Sequence, residues 1–97
     1  MSDYKCFRKP IQATDGTWWI SDLYAASYLH ALGHTIVDLA ESGQKGRTAF
    51  VFEASESFAH DYAAFERDEP ISVHCFVRSL RAARQLLHSG SGYLSRR

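Results

Sequence analysis

Apolar residues along the chain recur with two spacings, one typical of strands and one typical of helices. Residues 16–20 are aromatic and β-branched, which predicts a strand. Residues 35–39 and 48–52 are predicted to form two further strands, and the turn between them at residues 42–46 contains two glycines that supply positive φ. A connection this short predicts that the second and third strands are antiparallel.

A first helix is predicted over residues 23–32, between the first two strands. Ser21 and Asp22 supply an N-cap, and the acid lies at the positive end of the helix dipole. The segment is rich in alanine, which favours a helix. Gly33 is predicted to end it, because glycine enters the left-handed conformation that follows a helix without a steric penalty.

Two more helices are predicted after the last strand, separated by Pro70. The second is capped by Ser55 and carries an apolar stripe at helical spacing. The third runs from about residue 73 to residue 88, with Ser72 as its cap. The stripe of the second helix contains Phe58, Tyr62 and Phe65. The buried side of the third is predicted to contain Phe76, Val77, Leu80, Ala83 and Leu87.

These elements predict an α+β domain with the order β-α-β-β-α-α. Its small, mostly antiparallel three-stranded sheet is covered by helices, whose apolar stripes need burial. Residues 17–89 form this single domain. Residues 1–16 are predicted to be an N-terminal arm with a short extended piece at residues 4–7, and residues 90–97 a basic C-terminal tail.

Composition indicates how many domains the chain forms and in which compartment it is expected. The 97 residues are 45% hydrophobic and 13% aromatic, which is typical of one folded domain. No apolar run reaches the length of a bilayer span, and the N-terminus lacks the apolar stretch of a signal peptide. A cytoplasmic location is therefore expected, with no membrane partner. In that compartment Cys6 and Cys75 are expected to be free thiols.

The charge is balanced in total and uneven along the chain. There are 11 basic and 11 acidic residues, but residues 53–69 contain six acids and one arginine, while residues 70–97 contain five arginines and no acid. An acidic helix is thus followed by a basic one. The two either pair with each other or present charged faces to a partner.

Three groups of residues are candidates for binding. A basic stripe on the third helix and tail could contact phosphates or a protein. The acids could imitate a phosphate backbone, and an exposed indole would mark an interface. The basic group contains Arg78, Arg81, Arg84, Gln85, His88, Arg96 and Arg97, and the acidic group contains Glu53, Glu56, Asp61, Glu66, Asp68 and Glu69. The aromatic group contains Trp18 and Trp19. Because side chains alternate along a strand, these two indoles are expected on opposite faces.

Catalytic and metal chemistry is not predicted. His30 and His34 have the i, i+4 spacing of helical metal ligands, but Gly33 lies between them and no third ligand is recognisable. They are interpreted as polar histidines at a helix end. His74 and Cys75 are adjacent on a helix and point apart. We therefore expect no enzyme, no catalytic residue, no metal and no cofactor.

Three segments of the chain have a characteristic sequence: residues 20–39 (ISDLYAASYLHALGHTIVDL), 47–53 (RTAFVFE) and 76–88 (FVRSLRAARQLLH). Together they resemble a small prokaryotic and phage domain family of uncharacterised function. The resemblance implies a fold and a bacterial or mobile-element setting, and it implies no catalytic residues.

The function expected first is a small non-enzymatic module that binds another protein. Two alternatives stay open. One is a phage-encoded inhibitor of a host nucleic-acid-handling complex that uses the acidic face as a decoy. The other is a weak nucleic-acid-binding protein that uses the last helix and the tail.

Overall fold

Four strands and three helices make up the part of the chain that the computed structural model describes, residues 9–41 and 48–89. The elements are β1 (Ile11–Gln12), β2 (Trp18–Ile20), α1 (Leu23–Ala31), β3 (Ile36–Glu41), β4 (Thr48–Phe52), α2 (Phe58–Glu66) and α3 (Val73–Ser89). The α+β class is confirmed. No helix within these two ranges has the length and apolar character needed to cross a membrane.

The sheet has four antiparallel strands in the order β1-β2-β4-β3, one more than predicted. The added strand is β1, which lies within the predicted N-terminal arm. A tight turn joins it to β2: Gly16, at a φ of 93°, donates its N–H to the Ala13 carbonyl at 2.9 Å. Two residues are too short for an alternating pattern, so this strand has no periodic signal. The extended piece predicted at residues 4–7 and the turn at residues 42–46 lie outside the described ranges.

The strand register separates two faces of the sheet. Trp18 is paired with Phe52, and Ile20 with Phe50, so these four side chains share one face. The helices cover this face and form the core with it. The core cluster contains Ile20, Ala25, Ala26, Leu29, Leu39, Phe50, Phe52, Phe58 and Ala83.

The opposite face of the sheet carries Trp19, which pairs with Val51 and with Ile11. The predicted placement of the two indoles on opposite faces is therefore confirmed. Val51 is buried although it lies on this second face, so β4 is covered on both sides.

A β-bulge in β3 changes which of its residues face the helices. Ile36 pairs with Phe52 and Asp38 with Val51, so Val37 is an additional residue between them. Without the bulge, Ile36 and Leu39 would point to opposite faces. With it, both pack against the core.

The boundaries of α1 follow the predicted signals. The Asp22 carboxylate accepts hydrogen bonds from the N–H groups of Tyr24 and Ala25, and Gly33 follows the helix with a φ of 109°. This helix packs closely against both α2 and α3. Tyr28 strengthens the packing of α1 against α2, because its hydroxyl donates a hydrogen bond of 3.1 Å to the carbonyl of Glu69, which follows α2.

The second helix begins later than its predicted cap. Ser55 Oγ accepts the N–H of Ser57 at 3.2 Å, whereas Ser57, in the cap position, makes no capping bond with its side chain. The predicted stripe is confirmed: Phe58 is fully buried, and Tyr62 and Phe65 pack partly buried against the core.

The buried side of α3 is rotated from its predicted position. The predicted burial of Ala83 is confirmed. Ser79 is also buried and Leu86 packs against the core, whereas Val77 and Leu87 are each 37% exposed. Close approach of α1 explains the difference, since small side chains allow two helix backbones to come near each other. The burial of Ser79 is compensated by a hydrogen bond of 2.8 Å to His30.

Phe58→Ala should lower the free energy of unfolding by about 3–5 kcal/mol, because it leaves a cavity beneath α2. The control Val73→Ala, at a position that is 72% exposed, should change it by less than about 0.5 kcal/mol. The free energy of unfolding of both variants is measured by urea denaturation followed by far-ultraviolet circular dichroism. This signal reports on the backbone, so it does not depend on the indole that Phe58 contacts. Equal stability of the two variants would contradict a central role for Phe58.

Candidate interaction surface

The exposed side of α3 carries the predicted basic residues. Arg78, Arg81 and Arg84 are exposed, and α3 contains no acidic residue. A shallow surface depression of about 480 Å³ is lined by Arg81, Arg84, Gln85 and His88. The His88 ring is oriented by a hydrogen bond, since its Nδ1 lies 3.1 Å from the Arg84 carbonyl oxygen. The structure therefore brings four of the predicted basic-group residues together.

The α3 arginines form no ion pair with the acids whose side chains the structure describes, those in residues 9–40 and 48–89. Within these ranges, Lys9 forms an ion pair with Glu66 and Arg67 with Glu69, and His34 is hydrogen-bonded to Asp61. Pairing between the acids of the second helix and the arginines of the third was one expectation from the sequence. It does not occur here, which leaves the guanidinium groups available to an external carboxylate or phosphate.

The predicted acidic group is less uniform. Asp61 lies 2.7 Å from His34 and is only 24% exposed, and Glu66 lies 3.5 Å from Lys9. Glu69 accepts a hydrogen bond of 2.9 Å from Arg67 Nε and forms an ion pair with the same guanidinium group. Three of the six carboxylates, Asp61, Glu66 and Glu69, thus have a side-chain partner within the same fold. Asp68 follows α2 with a φ of 61° and, like Glu53 and Glu56, is exposed.

The indoles lie apart from the α3 surface. Trp18 is stacked on Phe58, with ring centroids 4.9 Å apart and an angle of 8° between the planes. Trp19 lies half-buried on the face of the sheet away from the helices. The Nε1 atoms of both are buried and make no hydrogen bond to the part of the chain that the structure describes. Trp18 is therefore part of the packing, and the structure does not join Trp19 to the basic residues. Arg96 and Arg97 lie outside the described part of the chain.

A second cavity, of about 610 Å³, lies beside α3 and was not predicted. It is bordered by the end of α1, the start of β3 and the last turns of α3. Its walls include His30, His34, Thr35, Ile36, Gln85 and Leu86. Gln85 also borders the shallow depression, so the two concave regions adjoin.

Both histidines of this cavity are hydrogen-bonded to side chains from distant parts of the sequence. His30 Nδ1 lies 2.8 Å from Ser79 Oγ, and His34 Nε2 lies 2.7 Å from an Asp61 carboxylate oxygen. Burial lowers the pKa of His30 below its ordinary value, because the charged imidazolium is poorly solvated there. The spacing of the two histidines singled them out in the sequence, but their partners could be known only from the fold.

The polar side chains that border the cavity form two separate hydrogen-bonded pairs. The buried Ser79 hydroxyl faces His30, yet the Asp61 carboxylate that could orient an imidazole is bound to His34 instead. No group of three or more His, Cys, Asp or Glu side chains capable of holding a metal ion is found within the two described ranges. Cys75 is a half-buried free thiol.

The fold and the surface define the class of this protein as a small α+β domain with helices on one face of an antiparallel sheet and a basic outer helix. No protein-family model, curated protein or solved structure matches the chain. The family resemblance of its three sequence segments therefore stays a prediction.

Acid should destabilise the protein partly through His30. Its folded-state pKa is lowered, so below about pH 6.5 the unfolded chain binds more protons. The free energy of unfolding should then fall with decreasing pH, by at most about 1.4 kcal/mol per pH unit for this group. His30→Gln should flatten the dependence measured by urea denaturation, while Ala59→Gln, at an exposed α2 position whose side chain does not ionise, should leave it unchanged. The same slope in wild type and His30→Gln would contradict this assignment.

Proposed function

We propose that this chain is a non-enzymatic binding module that contacts another protein through the exposed side of α3. The observation that carries the proposal is the set of three exposed arginines on a helix without acids, none of which is paired with an acid of the described fold. Arginine is enriched at protein interfaces, because its planar group makes paired hydrogen bonds and covers apolar surface.

Apolar side chains beside the arginines favour a protein as the partner. Val73 is 72% exposed on α3, and Val77 and Leu87 are also exposed there. Phosphate-binding surfaces are more uniformly basic, and the whole chain has no net charge and a pI near 7.0. A mixed apolar and basic surface is better suited to an acidic protein surface.

Nucleic-acid binding is the second candidate, favoured by the depression in which Arg81, Arg84, Gln85 and His88 present hydrogen-bond donors together. The acidic-decoy function receives less support, since the carboxylates of Asp61, Glu66 and Glu69 each contact another side chain within the fold. Bacterial or phage origin and a cytoplasmic location remain predictions from the sequence.

Reversing the charge of Arg78, Arg81 and Arg84 to glutamate should reduce partner recovery at least tenfold, because carboxylates would be opposed to carboxylates. The matched control changes the same three residues to lysine, which keeps the charge. Tagged proteins are used to recover partners from the native host, with nuclease treatment, and partners are quantified by mass spectrometry. Circular dichroism checks that each variant is folded.

Undiminished recovery with the glutamate variant would show that the α3 surface is not the binding site. A partner set that disappears with nuclease, together with salt-dependent binding of labelled DNA or RNA by the purified protein, would favour the nucleic-acid candidate instead.

A further inference from the structure

A second apolar stripe runs along α3, beside the one that faces the core. Its positions are separated alternately by four and three residues, which is the spacing of a coiled-coil seam. The stripe contains Val73, Val77, Leu80, Arg84 and Leu87. Val73, Val77 and Leu87 are exposed and Leu80 is half-buried. The core-facing stripe is separate from it and contains Ser79, Ala83 and Leu86.

The length of this outer stripe suits another helix. From Val73 to Leu87 it extends about 21 Å, because a helix rises about 1.5 Å per residue. That is two heptads of contact. An extended strand has a side-chain period of two, so it would meet this seam at few of its positions.

We propose that the partner presents an acidic amphipathic helix that packs along this stripe and places carboxylates against Arg81 and Arg84. This inference rests on the proposed function, since it specifies what the α3 surface binds. The apolar side chains of the partner helix would cover Val73, Val77 and Leu87.

Charge on α3 determines which helix fits. Arg84 lies within the seam, and Arg81 lies beside it. A charge covered by a partner without a counter-ion is costly, so the partner must supply a carboxylate at the seam. Arginine and carboxylate can then form two parallel hydrogen bonds, which also sets the register of the two helices.

A second copy of this chain does not offer such a helix. Two α3 helices packed symmetrically would bring basic residues together, with no acid on either helix to compensate them. The acidic α2 turns its apolar stripe inward, with Phe58 fully buried and Phe65 against the core. The occupant we infer is therefore a different protein.

The test uses a designed, fluorescein-labelled peptide of about 21 residues, three heptads in length. It has leucine at the seam positions, glutamate at the flanking positions and one glutamate within the seam. Fluorescence anisotropy should show saturable binding to the wild-type protein. Val77→Asp and Arg84→Glu should each weaken binding at least tenfold. Val37→Asp is the matched control, because Val37 is an equally apolar residue, 43% exposed on β3, and it should bind like wild type.

A scrambled peptide of identical composition separates the seam from simple charge attraction. Weak binding of the scrambled peptide supports the inference, whereas equal binding of both peptides overturns it. No saturable binding of the designed peptide, or an equal loss with Val37→Asp, also overturns it. Dimerisation of wild type in sedimentation, abolished by Val77→Asp, would assign the stripe to a second copy and overturn it as well. Failure of the peptide experiment leaves the partner recovery that tests the α3 arginines unchanged. Failure of the helix inference can therefore be distinguished from failure of the proposed function.

Discussion

The packing of Phe58 is the interaction on which the rest of the fold depends. Its ring contacts Trp18 of β2 at 4.9 Å, His34 before β3 at 5.2 Å and Phe52 of β4 at 5.4 Å, measured between ring centroids. One side chain from α2 thereby holds two strands and the segment that leads into a third. This concentration of aromatic contacts fixes the helices on a single face of the sheet, and α3, packed against α1, keeps its outer side exposed.

Much of the fold could be predicted because its signals are local. Asp22 and Gly33 mark the ends of α1 through hydrogen bonding and a left-handed backbone conformation, both of which depend on neighbouring residues alone. β1 could not be predicted, since two residues carry no period. The position of the buried side of α3 could not be predicted either. Hydrophobicity correctly assigned Ala83 to the buried side but also favoured Val77 and Leu87 for burial, whereas close helix packing selects the smaller Ser79.

The candidate surface could be predicted in part for the same reason. Helical spacing placed Arg81, Arg84, Gln85 and His88 near one another, and in the structure they line one depression. Their lack of ion pairs within the described fold depends on the tertiary arrangement of acids and helices. The cavity beside them could not be foreseen, because it forms where His30 and His34 meet residues of α3 and β3 that are distant in sequence.

The bulge at Val37 has a consequence for how this sheet meets other chains. β3 is an edge strand, and a regular apolar edge readily recruits a strand from a neighbouring molecule. The extra residue disrupts the even spacing of hydrogen-bonding groups along that edge, and the exposed carboxylate of Asp38 follows it directly. The irregularity that turns Ile36 and Leu39 inward therefore also discourages the sheet from growing into an aggregate.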